Sequence, residues 1–320
     1  MAKFLVAGIT QIETIVKVKS IPIDYKPLTI VPNSVFTSIG GTAYNVSLAL
    51  TSLGDNVRFV SMIGKDSDYS ILNPHDSDIL LPTKYIKRNL QDTPTSVILY
   101  DDKWNQQIFE DIKDAREAEF DMTGTDDLID DADMVVLSNA NFCRPFCYKA
   151  KEKNKKIAVN IHSFSWDKVK YNTDFYKAAN IIYMSDSNIG KDPYDFVTEI
   201  ADGYDIDIVL LGQGKDGAIL YDRKKNIKVH YNSVSTLDIV NTAGAGNALL
   251  SCFLHYYMET GDSVLSIRNA LLFASYKIGF MGTSSGFMTT SQLKEWHDKI
   301  WPSNDIFSEM KAKVDSNSES

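Results

Sequence analysis

The segment Asn241-Thr242-Ala243-Gly244-Ala245-Gly246-Asn247 runs directly into the apolar stretch Ala248-Leu249-Leu250. Small residues at a helix start leave backbone N–H groups uncovered, and the helix dipole adds partial positive charge there. The turn can therefore hold a phosphoryl oxygen and stabilise charge growing on a transferring phosphoryl group. A tight packing turn between helix and sheet would use the same small residues. A second segment, Gly40-Gly41-Thr42-Ala43-Tyr44-Asn45, opens the first long helical stretch. Paired glycines admit a ligand to the main chain, and Asn45 can donate to or accept from a hydroxyl. A glycine hinge followed by a surface asparagine fits equally well. A third, Gly212-Gln213-Gly214-Lys215-Asp216-Gly217, follows an apolar run ending at Leu211. It is spelled like a dinucleotide fingerprint, but that fingerprint must open a helix, and Ala218-Ile219-Leu220-Tyr221 reads as a strand. NAD binding is thereby set aside, and a glycine turn at the edge of a nucleotide remains. No glycine-lysine-serine/threonine loop of the Walker type occurs, which removes P-loop chemistry.

The elements that must position these segments alternate between strand and helix, the pattern of an α/β protein with a parallel sheet. Strands are expected at Phe4 to Ala7, Asn56 to Met62, Met134 to Leu137, Lys156 to Ile161, Ile181 to Met184 and Ile206 to Leu211. Val46, Ala49, Leu50 and Leu53 recur on one side of a helix from Ala43 to Leu53, with Gly54 as its stop, and a basic helical run spans Lys149 to Lys155. Near the end, Ala245 to Glu259 closes at Gly261, and Ser263 is the expected cap of Val264 to Phe280. Two regions break the rhythm. Ile12 to Ser38 is β-branched and proline-containing, and Thr95 to Asp111 reads as two strands around Asp101-Asp102-Lys103. Extra strands of this kind form a lid over a ligand crevice. The expected organisation is one domain over residues 1–310, lid segments at about 12–38 and 95–111, and a disordered tail at 311–320.

Bulk properties narrow the partners. The 320 residues carry a hydrophobic fraction of 44% and a net charge of -9. The chain can bury a sizeable core, and its charge disfavours nucleic acid and anionic membranes as partners. Met1-Ala2-Lys3 leads straight into a strand-like run, so no signal peptide is expected, and no apolar stretch reaches the length of a membrane span. Three cysteines, Cys143, Cys147 and Cys252, fit a reducing cytoplasm and read as small packed hydrophobes.

The three glycine segments, in this order and at these distances, resemble the PfkB carbohydrate kinase family, which includes ribokinase, adenosine kinase and fructokinase. The resemblance runs from about Phe4 to about Gly286 and takes in Leu53-Gly54 and Gly64-Lys65-Asp66. It implies a ribokinase-like three-layer sandwich with a mostly parallel sheet and a small β-lid. It places ATP near Gly212, Gly214, Gly217 and Thr242, with Gly244, Ala245 and Gly246 as the anion hole. A sugar or nucleoside would lie between Gly40, Gly41, Asn45 and the lid. Glu13 falls where the family has a hydroxyl-binding aspartate; a solvated strand-end charge is the plainer alternative. A homodimer through the lid strands would cover their exposed edges.

The departures bear on activity. In the family the last residue of the glycine signature is the base that takes the acceptor's proton, and here it is Asn247. A neutral amide cannot take that proton, and a positioned base contributes roughly 10²–10⁴ in rate. Asn241 replaces the leading aspartate of the same signature. Met184-Ser185-Asp186-Ser187-Asn188 stands in place of an Asn-x-x-Glu motif that organises Mg²⁺, so Asp186 alone supplies a carboxylate, acting through water. Asp238 and His255 are nearby, but the first reads as a strand-end residue and the second as a packed or surface histidine. Two functions follow: ATP-dependent phosphorylation of a sugar, sugar-derived or nucleoside hydroxyl, or a sensor that binds such ligands without transfer.

Overall fold

The computed structural model describes residues 1–73 and 79–302, so the tail at 311–320 lies outside the described residues. In chain order the elements are β1 (Lys3–Ala7), β2 (Gln11–Lys17), β3 (Val35–Gly40), α1 (Thr42–Ser52), β4 (Asn56–Gly64), β5 (Tyr85–Leu90), β6 (Thr95–Tyr100) and β7 (Gln106–Asp111). There follow α2 (Asp126–Asp131), β8 (Met134–Ser138), α3 (Arg144–Glu152), β9 (Lys156–Ser163), α4 (Val169–Ala178), β10 (Ile181–Ser185), α5 (Pro193–Tyr204) and β11 (Ile208–Gly212). The chain closes with β12 (Ala218–Asp222), β13 (Ile227–Tyr231), α6 (Ala245–Thr260), α7 (Ser263–Lys277) and α8 (Thr290–Ile300).

Nine strands form the main sheet in the order β13-β12-β11-β10-β9-β8-β1-β4-β5. The pairings from β5 to β11 are parallel, and β12 and β13 extend the sheet antiparallel. Because side chains alternate along a strand, a central strand feeds two cores. Phe4 and Val6 of β1 join the core under α1, α6, α7 and α8, whereas Leu5 and Ala7 join the one under α2 to α5. This double burial explains why the central strands read as unbroken apolar runs. Edge strand β5 is different: its Lys87 and Arg88 are exposed, which blunts pairing with another chain and hid the strand from periodicity.

The two irregular regions pair with each other as a second sheet, ordered β3-β2-β6-β7. Asp101, buried in the β6–β7 turn, accepts from the amides of Lys103 and Asn105 at 2.9 and 3.0 Å and from the amide of Ile21 at 3.3 Å. One carboxylate thus shapes the hairpin and ties it to the strand connection beside it.

Three sequence expectations need revision. Helix α3 begins at Arg144 and ends at Glu152, earlier than the basic run suggested, because Pro145 suits a first turn. Asp262, not Ser263, caps α7, accepting from the amides of Val264 and Leu265. Ser263 lies buried and donates instead to Asp222 at 2.6 Å. Asp238 sits exposed in an irregular segment, not at a strand end. Cys143, Cys147 and Cys252 are buried free thiols. No described helix is long and apolar enough to cross a membrane.

The reassigned cap gives a test. Asp262→Ala should lower unfolding stability by about 1 kcal/mol, the usual cost of losing an N-cap. Chemical denaturation checks it, with an unchanged midpoint contradicting the assignment.

Candidate active site

Helix α6 starts at the carboxyl end of the parallel strands, and its first turn is held bare. Gly244, its N-cap, has φ of 84°. A Cβ there would lie 2.5 Å from the carbonyl oxygen of Thr283, so both conformation and space call for glycine. The preceding turn is closed from inside. Buried Asn241 accepts from the amide of Ala243 at 2.9 Å, and the Ala245 amide donates to the Thr242 carbonyl at 3.3 Å. The amides of Gly246 and Asn247 have no backbone acceptor among the described residues, and Asn241 Nδ2 is buried without a partner. Unused donors at a helix N-terminus are what a phosphate oxygen requires.

Asn247 is buried in that turn, and its orientation is fixed by a chain of hydrogen bonds. The backbone amide of His162, a donor that cannot reverse, gives its hydrogen to Asn160 Oδ1 at 2.8 Å. Asn160 therefore presents its NH₂, which donates to Asn247 Oδ1 at 2.8 Å. Asn247 is left with Nδ2 as its free end, a hydrogen-bond donor. His162 adopts φ of 68° beside a register shift in the β9–β10 pairing that skips Ile161.

The glycine turn after β11 meets α6 through one tyrosine. A Cβ on Gly212 would come within 2.7 Å of the Tyr183 hydroxyl, and one on Gly246 within 2.3 Å of the same atom. The turn is tightened by bonds between Gln213 and Gly217 at 2.8 Å and between Gly217 and Gly214 at 3.2 Å. Gly214 and Gly217 take φ of 57° and 103°, and a Cβ on Gly217 would strike the Tyr231 carbonyl at 2.0 Å. Asp186 lies beside this turn and accepts from Gln213 Nε2 at 3.1 Å. Ser185 and Ser187 bond each other at 2.8 Å, and the described residues contain no cluster of three metal-ligating side chains. A single carboxylate fits Mg²⁺ carried in on nucleotide phosphates and water, not one bound by the protein alone.

Around Gly40 and Gly41 the structure gathers polar side chains. Gly41 takes φ of 97° at the start of α1, and its amide donates to Glu13 Oε1 at 3.0 Å. Gln11 Nε2 also donates to Glu13 Oε1 at 2.9 Å, and the Thr283 hydroxyl donates to Glu13 Oε2. A Cβ on Gly40 would run into the same carboxylate at 2.2 Å. Burial pushes the Glu13 carboxyl up, against those hydrogen bonds and the charge on Lys277. Glu13 is thus a buried joint between strand β2, helix α1 and the loop after α7, not a solvated strand-end charge. The atoms left unpaired are Thr10 Oγ1, Gln11 Oε1, Ser38 Oγ and Asn45 Oδ1. Leaving such groups buried and unbonded costs about 1–3 kcal/mol each, so hydroxyl partners are expected there.

The second sheet packs on the turn before α6. Gln106 of β7 donates to Thr242 Oγ1 at 2.5 Å, and Ile15, Ile98 and Tyr100 pack with Ala243. Sequence reasoning missed Gln11, Asn160, Tyr183, Lys277 and Thr283, none of which stands in a glycine segment. Only Lys277 left a trace, as a lone charge in the apolar run Ala270 to Ile278. His255 is packed, with Nδ1 2.7 Å from Asp55 Oδ2 and no contact with the turn.

The shared tyrosine predicts a specific double-mutant result. Gly212→Ala should cost about 1–3 kcal/mol of stability by overpacking, and less than about 1 kcal/mol in a Tyr183→Phe background. Gly246→Ala should not be rescued, because the ring carbon Cζ of Tyr183 also lies 2.8 Å from its added Cβ. Denaturation of the three single and two double variants reads it.

Comparison with known proteins agrees with this geometry. Residues 1–290 match the model of the pfkB family carbohydrate kinases. The deoxyribokinase of Salmonella typhi is 32% identical over 88 residues, a stretch spanning only 28% of that relative and 28% of this chain. The ATP-dependent 6-phosphofructokinase of Thermoanaerobacterium thermosaccharolyticum is 24% identical over 283 residues, covering 81% of this chain and 84% of the relative. Among solved structures, a microbiome-derived acarbose kinase aligns with a TM-score of 0.79 at 23% identity, covering 92% of this chain and 98% of its own. Arabidopsis thaliana ribokinase complexed with ribose and ATP aligns with a TM-score of 0.74 at 14% identity, with the same coverage. A ribokinase-like α/β fold and a family match over most of its length mean that this chain belongs to the pfkB family of carbohydrate kinases.

Proposed function

We propose that this chain binds ATP and a sugar, sugar-derived or nucleoside acceptor, and transfers the γ-phosphoryl group to a hydroxyl slowly, because Asn247 offers a donor where a base is needed. The Asn160–Asn247 pair beside the bare α6 amides is the observation that carries this reading. Gly244, Ala245 and Gly246 would receive the transferring phosphoryl oxygens, and Gly212, Gly214, Gly217 and Thr242 would border the nucleotide. ATP supplies the phosphoryl group, and Mg²⁺ would enter with it near Asp186. The acceptor's hydroxyls would meet Gln11, Ser38 and Asn45 at the Gly40–Gly41 corner, with Glu13 holding that corner in shape. Positioning and the anion hole can support transfer without a base. The hydroxyl's proton, however, finds no side-chain acceptor at position 247. The lid's outer face exposes Val35, Val97 and Phe109, which suits a homodimer through the lid strands.

The second reading is a sensor that binds the same ligands without turnover. It draws on the same donor orientation of Asn247 and on the single carboxylate, Asp186, at the nucleotide turn.

Transfer from ATP to a pooled panel of ribose, deoxyribose, fructose 6-phosphate and nucleosides, read by mass spectrometry with Mg²⁺, separates the readings. Asn247→Asp should raise the rate by about 10²–10⁴, the usual contribution of a positioned base. Product from the unmodified chain at a lower rate supports the slow kinase. Product from Asn247→Asp alone supports the sensor. Equal rates from both chains would contradict the role given to Asn247.

A further inference from the structure

Lys277, the last residue of α7, has no solvent exposure at all. Its Nζ donates to the carbonyl of Ala243 at 2.6 Å and to the carbonyl of Gly282 at 2.5 Å. Ala243 immediately precedes Gly244, and Lys277 Cε lies 3.1 Å from where a Gly244 Cβ would stand. The ammonium is therefore packed against the phosphate turn from behind. On its other side the same loop continues to Thr283, which donates to Glu13. A continuous path results: Gly41 and Gln11 to Glu13, Glu13 to Thr283, Gly282 to Lys277, and Lys277 to Ala243.

A lysine is costly to bury, because its charge loses its water. Two carbonyls could be satisfied by a neutral donor, so hydrogen bonding alone does not explain a charge here. What a charge adds is a field. In a site screened from water a fixed ammonium acts strongly on an anion a few ångströms away, and it costs no reorganisation when that anion arrives.

Resting on the kinase reading above, we propose that Lys277 is a positioning residue of the phosphate turn: it joins the Ala243 and Gly282 carbonyls and supplies fixed positive charge behind the α6 amides for the terminal phosphates of ATP. Burial draws the Lys277 ammonium down to about 7, while the charge on Glu13 raises it. Glu13, on β2, is the charged group acting on it; the turn before α6 and the loop after α7 present the carbonyls of Ala243 and Gly282. Linkage then has a definite sign. If the charged lysine favours bound phosphate, bound phosphate favours the charged lysine, so nucleotide binding above neutral pH must take up protons.

Calorimetric binding of ATP and AMP tests this without requiring turnover. In Lys277→Met, ATP affinity should fall about tenfold or more at pH 6.5, from loss of a nearby buried charge, while AMP affinity changes little. A folded Lys277→Met that binds ATP as tightly as the unmodified chain overturns the proposal and leaves the kinase reading standing. An equal loss for ATP and AMP also overturns it, since that marks a merely structural lysine. A second measurement uses the unmodified chain and so does not depend on how the variant folds. At pH 8, about two units above the second ionisation of a phosphate, titration in buffers of different ionisation enthalpy should show net proton uptake with ATP and none with AMP. Absence of uptake with ATP, together with an unchanged ATP affinity in Lys277→Met, overturns the proposal; absence of uptake with a weakened Lys277→Met supports a lysine already charged at pH 8. If the unmodified chain binds no ATP at all, the kinase reading fails and this inference falls with it.

Discussion

The amides of Gly246 and Asn247 can serve an anion only while nothing in the protein covers them, yet three elements press close to that turn. The loop at Thr283 comes within van der Waals limits of Gly244, the Tyr183 hydroxyl fills the space beside Gly246, and the lid reaches Thr242 through Gln106. Small side chains make this crowding compatible with bare N–H groups. A Cβ at Gly244 or Gly246 would push one of those neighbours away and loosen the turn before α6. The sheet, the lid and the last helices therefore converge on one turn of backbone.

The chemical consequence of Asn247 follows from direction as much as from charge. An aspartate in its place would accept from Asn160 and still have an oxygen free for a hydroxyl proton. The asparagine accepts from Asn160 as well, but what it leaves free is an NH₂. The residue has changed sign as a hydrogen-bond partner. A donor in that position can still touch a hydroxyl oxygen or a phosphoryl oxygen, which suits binding, but it cannot take a proton. On the proposed reading, binding and proton acceptance, joined in one residue in the family's pattern, are separated here.

Much of this was legible in the sequence. Apolar runs marked the doubly buried strands, and glycines marked the three turns, because positive φ and close backbone approach leave visible constraints on residue type. The second sheet was legible as a break in the helix–strand rhythm. Less legible were groups whose roles come from tertiary contact. Asn160 looks like any polar residue at the end of a strand, and nothing local says that it meets Asn247. Glu13 read as a hydroxyl ligand or a solvated charge, and the fold excludes the second by turning its carboxylate inward onto Gly41, Gln11 and Thr283. Lys277 offered a hint, a lone charge in the apolar run Ala270 to Ile278, but its meaning depended on two carbonyls from distant loops.

On the proposed reading, the binding half of a kinase site is intact while its proton-accepting half is not. Removing a carboxylate next to a polyphosphate also removes a repulsion, so the asparagine should help the nucleotide even as it hinders transfer. The direct measurement is calorimetric titration of ATP with Mg²⁺ into the unmodified chain and into Asn247→Asp, side by side. The account predicts that the unmodified chain binds ATP at least as tightly as Asn247→Asp. No binding by the unmodified chain, with binding recovered in Asn247→Asp, would contradict it.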